Sequence, residues 1–324
     1  MKHFFYILFG GIGAVVAGIL LSMVGRSIFH NISPKVSKFQ FSDLANLAST
    51  VVAKPIDGTT ISGIKRTVTY TASEEEGLMT AATLSLPRSS DAEISASSYI
   101  IKNLLTDKVV AEYQSERLLP MASLTKLVTA VVAKQLIRDS AKVKITNDIV
   151  STFGNTAQFK IGETFQVADL YYPLLMVSSN DAAEALARAY GRAKFIQAMN
   201  NFVQSIGAYR TTFKDPSGLS PDNRSTANDL VTIFSWIQKN DPEIIEITKL
   251  KTKTVRNRTW TNPAHFLSWS NYLGGKNGYT DEAKQTGVAM FYMGKDKVPY
   301  IVSILGSHSR DADIVKLLAK VKVI

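Results

Sequence analysis

PMASLTKLVTAVVAKQL, residues 120–136, is the stretch that decides the fold. Leu124, Leu127, Val128, Val131, Val132 and Leu136 recur at helical spacing, which predicts an amphipathic helix opening just after Pro120. Ser123 and Lys126 stand three apart at its start, and residues three apart share a helix face. A serine hydroxyl is a weak nucleophile until a base takes its proton. Lysine serves as that base when burial or neighbouring charge lowers its pKa. Free N–H groups at a helix start also favour developing negative charge. Ser62-Gly63-Ile64-Lys65 repeats the spacing. There, Thr59 to Thr71 reads as strand, which turns serine and lysine to opposite faces. Context selects Ser123.

Working outward, Ser98 to Leu105 and Lys108 to Tyr113 read as two strands joined by Thr106-Asp107. Helices are expected over Val167 to Met176, Asp181 to Gly191, Ala193 to Gly207 and Thr226 to Lys239. Gly275 to Thr280, Gly287 to Met293 and Tyr300 to Leu305 return to strand, and Ala312 to Val321 closes as a helix. Strands at both ends with helices between them predict an α+β domain built on an antiparallel sheet, over residues 92–324.

Residues 27–91 differ. Ser42 to Val52 has a short helical pattern, Thr59 to Thr71 is strand-like, and Glu74-Glu75-Glu76-Gly77 marks a turn. This stretch is expected to be a linker or a small β-rich module. Before it, Phe4 to Val24 is uncharged and spans about 30 Å as a helix, the thickness of a bilayer's hydrocarbon core. Residues 1–26 are therefore expected to form a transmembrane anchor or a signal segment. Val15-Val16-Ala17 offers a cleavage site, but the apolar run continues to Val24, which favours an uncut anchor. Lys2 precedes the run while Arg26, Lys35 and Lys38 follow it, a count that opposes an exported body. Long domains translocate largely regardless of such charges.

The chain has 324 residues, 45% hydrophobic, enough for a substantial core. With no cysteine and no HExxH or HxxxH pair among four histidines, disulfides and a zinc peptidase are set aside, and the serine–lysine chemistry of the first motif implies no metal or cofactor. The net charge of +10 comes from scattered residues without a nucleic-acid motif, so a solvated basic surface or an anionic polymer fits better than nucleic acid.

Two further motifs stand apart. Ser178-Ser179-Asn180 falls between two helices, where it either caps the second or offers a hydroxyl and an amide to a substrate. Lys276-Asn277-Gly278, within Gly274 to Thr280, reads either as a hairpin turn or as an edge strand lining a cleft, with Gly278 allowing close backbone approach.

In this order the three motifs resemble the penicillin-recognising serine enzymes, whose Ser-x-x-Lys, Ser-x-Asn and Lys-Thr-Gly elements converge on one cleft. The wider resemblance is to the low-molecular-mass penicillin-binding proteins, the D-alanyl-D-alanine carboxypeptidases. It is carried also by Ile161-Gly162-Glu163-Thr164-Phe165, Asp181-Ala182-Ala183, Asp215-Pro216-Ser217-Gly218-Leu219-Ser220, Ser225-Thr226-Ala227 and Leu305-Gly306-Ser307. It implies a β-lactamase/transpeptidase-like domain, with an antiparallel sheet and a helical cluster.

The resemblance implies an acyl-enzyme on Ser123, with Lys126 as base and Ser178 as proton shuttle. Asn180 would orient the substrate, and Lys276, Asn277, Gly278 and Thr280 would line its carboxylate end. The backbone N–H groups of Ser123 and Tyr279 would form the oxyanion hole. Arg310 falls near a position that often holds a carboxylate-binding arginine. The implied substrate is a peptidoglycan stem peptide ending in D-Ala-D-Ala, outside the cytoplasm, with β-lactams as covalent inhibitors and the membrane contacted through residues 4–24. Asn277 departs from the family's Thr or Ser. It leaves open a catalytically impaired cell-wall-binding scaffold, beside the active carboxypeptidase and an endopeptidase. A β-lactamase would need a deacylating Glu with a nearby Asn after the second motif, and none is evident. The additional C-terminal β-domain of some relatives is not expected.

Overall fold

The computed structural model describes residues 94–321. The anchor reading of Phe4 to Val24, the module at 27–91 and the second Ser-x-x-Lys match at Ser62 lie outside the described residues. Among the described residues no helix is long and apolar enough to cross a membrane.

The chain opens with strands β1 (Ser98–Asn103), β2 (Val109–Tyr113) and the short β3 (Leu119–Pro120). A 3₁₀ turn, Ala122–Leu124, leads into helix α1 (Thr125–Leu136). Then come β4 (Lys142–Lys144), α2 (Asn147–Val150), β5 (Thr164–Gln166), α3 (Val167–Met176), α4 (Asn180–Tyr190) and α5 (Arg192–Ser205). After β6 (Arg224–Ser225) follow α6 (Ala227–Asn240) and α7 (Pro242–Lys249). The hairpin β7 (Thr252–Val255) and β8 (Arg258–Thr261) precedes β9 (Tyr272–Thr280), β10 (Lys284–Met293), β11 (Val298–Ser307) and α8 (Arg310–Ala319).

The main sheet has the order β2-β1-β11-β10-β9, with every pairing antiparallel. Its strands alternate as the pleat requires. Ile100, Val288, Met290, Ile301 and Leu305 face the large helical core. Tyr99, Ile101, Ala289, Phe291, Val302 and Ile304 face a second cluster closed by Ile314, Leu317 and Leu318 of α8. Helix α1 is the hub of the larger core. Every residue from Thr125 to Ala133 is buried, as expected of a helix packed on all sides.

The expected strands and most helices match this order. The Lys276-Asn277-Gly278 stretch is the interior of β9, not a hairpin turn. The turn lies beyond it, where Thr280 pairs with Lys284. Ser123 sits in the 3₁₀ turn rather than in α1 itself, because the preceding Ala122 adopts φ +49° and breaks α-helical continuity there.

Candidate active site

Ala122 holds a left-handed backbone, which costs an L-residue roughly 1–2 kcal/mol and persists only where its surroundings enforce it. Two neighbours do so. Thr286 Oγ1 donates to the Met121 carbonyl at 3.0 Å, tying the turn to β10. Gly218 (φ +89°) lies so close behind that an added Cβ would stand 2.0 Å from the Ala122 carbonyl oxygen. Ser123 is thereby fixed at the start of the core helix.

Lys126 is fully buried in the first turn of α1. Its Nζ lies 2.9 Å from Ser123 Oγ, 2.7 Å from Asn180 Oδ1 and 2.6 Å from the Ser217 carbonyl oxygen. Three acceptors suit an ammonium. They suit a free amine equally well, with two N–H groups donating to Asn180 and Ser217 and the lone pair receiving the Ser123 O–H. Burial holds Lys126 well below the ordinary lysine value, and the nearby Lys276 charge adds to this. Asp215 and Asp181 pull in the opposite direction.

The second motif divides its labour. Ser179 Oγ accepts from Ala182 N at 3.0 Å and caps α4. Ser178, in left-handed backbone at φ +59°, and Asn180 turn instead to the cleft. Asn180 Nδ2 donates to the Phe153 carbonyl at 2.7 Å, so its Oδ1 is left aimed at Lys126. The capping reading holds for Ser179, while Ser178 and Asn180 line the cleft.

Across the cleft Lys276 is almost wholly buried, and its Nζ donates to Ser178 Oγ at 2.9 Å and to the Asn277 carbonyl at 2.8 Å. Burial, then the Arg310 charge, push its pKa down to about 7. At Gly278 an added Cβ would stand 2.8 Å from Ser123 N, so glycine alone lets β9 approach the Ser123 amide.

Ser123, Ser178, Asn180, Asn277, Gly278, Tyr279, Thr280 and Arg310 line one cleft of about 610 Å³, with Phe153 and Leu219 at its walls. Lys126 lies beneath it. Tyr279 is exposed and donates its hydroxyl to Asp281 at 2.9 Å, while Thr280 Oγ1 accepts from Ala283 N at 3.1 Å. Arg310 begins α8, donates through Nε to Asp311 at 2.7 Å, and stretches over Gly287 of β10. Among the described residues no His, Cys, Asp and Glu cluster is disposed to hold a metal ion.

Sequence reasoning assigned no role to the loop at 215–220, which turns out to underpin the site. The Asp215 carboxylate accepts from Ser217 N and Oγ, Gly218 N and Ser220 N at 2.6–2.7 Å. Burial raises its pKa, but these bonds outweigh burial and hold it below the usual range. The loop so folded presents the Ser217 carbonyl to Lys126. Asp-Pro-Ser-Gly is the kind of string in which an aspartate folds its own backbone into a turn, and was the available signal. The Phe153 carbonyl had no signal, being a backbone atom in an irregular segment.

This arrangement can activate an alcohol beside an electropositive pocket. The comparisons agree with that chemistry. Residues 85–308 match the family model for the S11 peptidases, described as D-alanyl-D-alanine carboxypeptidase. A D-alanyl-D-alanine endopeptidase of Escherichia coli is 31% identical over 252 residues, covering 73% of this chain and 80% of that protein. The carboxypeptidase DacA of the same species is 30% identical, covering 70% of this chain and 60% of its own length. Among solved structures, a mutant of the Streptomyces K15 DD-transpeptidase is 29% identical, with a TM-score of 0.64 over 70% of this chain and 97% of that one. Together with the fold and the cleft, these matches make the chain a member of the D-alanyl-D-alanine carboxypeptidase family of serine peptidases.

Proposed function

We propose that Ser123 is acylated by the penultimate D-alanine of a peptidoglycan stem peptide. The observation that carries this is the 2.9 Å contact between Ser123 Oγ and the fully buried Lys126 Nζ. Lys126 takes the hydroxyl proton as Oγ bonds to the carbonyl carbon. The resulting oxyanion lies between the N–H groups of Ser123 and Tyr279. Removing one such donor typically costs about 2.7–4 kcal/mol of barrier. The C–N bond then breaks as the proton taken up by Lys126 is relayed through Ser178 to the departing amine, and D-alanine leaves. Water hydrolyses the ester and restores Ser123. Asn180 orients the acyl portion, while Lys276, Asn277, Thr280 and Arg310 face the leaving carboxylate.

A substrate of this kind lies outside the cytoplasm. An exported body tethered by the apolar run at Phe4 to Val24 fits it. Cross-link cleavage is the second reading, supported by the endopeptidase names of the relatives from Escherichia coli and Pseudomonas aeruginosa. It uses the same residues on a different leaving amine.

A fluorescent penicillin tests the mechanism. Labelling of the wild type and none of Ser123→Ala is expected, and an unlabelled wild type defeats the assignment. Free D-alanine released from a peptide ending in D-Ala-D-Ala marks carboxypeptidase action. Cleavage confined to cross-linked dimers marks endopeptidase action.

A further inference from the structure

Asp181 directly follows Asn180 on α4 and is fully buried. Among the described residues neither carboxylate oxygen has a hydrogen-bond partner. The other well-buried carboxylates are all engaged: Asp215 by its loop, Asp313 by Ser95 and Ser307, Asp229 by Thr211 and Arg210 N, and Glu184 by Arg192. A carboxyl removed from water without a partner is costly, and each such group in a native fold has a reason to be there. Capping does not supply one, since Ser179 already caps α4.

Its surroundings narrow the choice. On the elements packed against α4, Asp148 of α2 is paired with Arg188, and Arg192 of α5 with Glu184. Tyr171 of α3 donates to Asp139. Lys142 and Lys144 of β4 point to solvent. Lys126 of α1 is the group whose charge is felt at Asp181, and Asp181 in turn acts on Lys126 together with Lys276 and Asp215. Lys126 is anchored to the residue next door, through Asn180 Oδ1 at 2.7 Å.

We propose that Asp181 is a positioning residue whose buried charge, acting without a hydrogen bond, sets the pH at which Lys126 becomes a free base. When Asp181 is ionised, the ammonium form of Lys126 is favoured. When Asp181 carries a proton, the amine is released to accept one from Ser123. Burial pushes the Asp181 carboxyl up to about 7, against the pull of Lys126, and burial likewise lowers Lys126 from the ordinary lysine value. Each group thus carries a charge that bears on the other's proton. This inference rests on Lys126 being the base for Ser123.

The test is the second-order rate of acylation of the full chain by a fluorescent penicillin, followed from pH 5 to 9. Asp181→Asn keeps the shape and removes the charge. Its acidic limb should move down by about one pH unit or more, the usual effect of one nearby charge. On the limb it should then acylate about tenfold faster relative to its own plateau. Asp181→Glu relocates the charge by one methylene and should displace the limb by less. A purely structural role would lower the plateau or the melting temperature and leave the limb in place. A limb at the wild-type pH, in whichever variant folds, overturns the proposal. A wild type that is not acylated at any pH instead defeats the reading of the site.

Discussion

Gly218 backs directly onto Ala122: an added Cβ would stand 2.0 Å from the Ala122 carbonyl oxygen and 3.0 Å from Ser123 N. The loop that gives its Ser217 carbonyl to Lys126 thus also backs the Ala122–Ser123 turn in its left-handed backbone. Gly218→Ala introduces this clash and a side chain at φ +89°. The variant should lose roughly 1–2 kcal/mol from the backbone alone and more from the contact. Penicillin acylation should fall further than stability does. Chemical denaturation alongside labelling checks both, and acylation at the wild-type rate would refute the coupling.

Lys126→Ala removes the proposed base and leaves Ser123 in place. Acylation should drop by about 10²–10⁴-fold, the range for losing a positioned general base. The binding of an uncleaved peptide should change far less. A stopped-flow comparison of binding and acylation separates the two effects.

Lys276 is held at about 7 against the ordinary 10.5, so folding strips it of protons. The sign follows from linkage. Below pH 7 the folded state carries the whole cost of a buried ammonium, and the cost fades as pH rises from 7 towards 10.5. Lys276→Met should therefore be more stable than wild type at neutral pH, by up to ~4 kcal/mol before the lost bonds to Ser178 and Asn277 are subtracted. The gain should shrink towards pH 10. Its turnover of carboxylate-ended peptides should be abolished. Melting curves across pH decide this, and a gain that grows with pH would contradict it.

Arg310 lies along Gly287 and lines the cleft near Asn277. Arg310→Gln should raise KM for a D-Ala-D-Ala peptide by about tenfold or more, with kcat little changed. A peptide ending in D-alanine amide should not distinguish the two proteins. An equal effect on both peptides would remove Arg310 from carboxylate recognition.

Asn277 occupies a cleft-lining position that corresponds to the hydroxyl residue of a Lys-Thr-Gly motif. Asn277→Thr should raise kcat/KM for D-alanine release by about threefold to tenfold, the worth of one ordinary hydrogen bond. A fall in kcat/KM would instead mean that the amide serves a different leaving group.

Much of the site was legible because its parts are side chains carried on regular elements. The spacing of Ser123 and Lys126, the switch from helix to helix at Ser178 to Asn180, and the strand around Lys276 each leave a local trace. What the sequence hid is non-local or made of backbone. The third acceptor for Lys126 is a carbonyl 91 residues away, and the partner of Asn180 Nδ2 is another carbonyl. Helix α7 and the β7–β8 hairpin were not anticipated. Both are short, and Thr252 to Thr261 is too polar to announce a buried face, although Val255 and Trp260 are buried there.

Strand β9 closes the sheet on one side, and its outer edge is divided. Near Gly275, α7 covers it, with the Gly275 N–H donating to Thr248 Oγ1 at 3.1 Å. From Asn277 to Thr280 it borders the cleft instead, a run of about 13 Å. A guest chain of roughly four residues can lie there as a temporary extra strand, held through its own main chain. Such a grip is blind to most side chains, so discrimination between one wall fragment and another falls on the groups at the two ends of the guest.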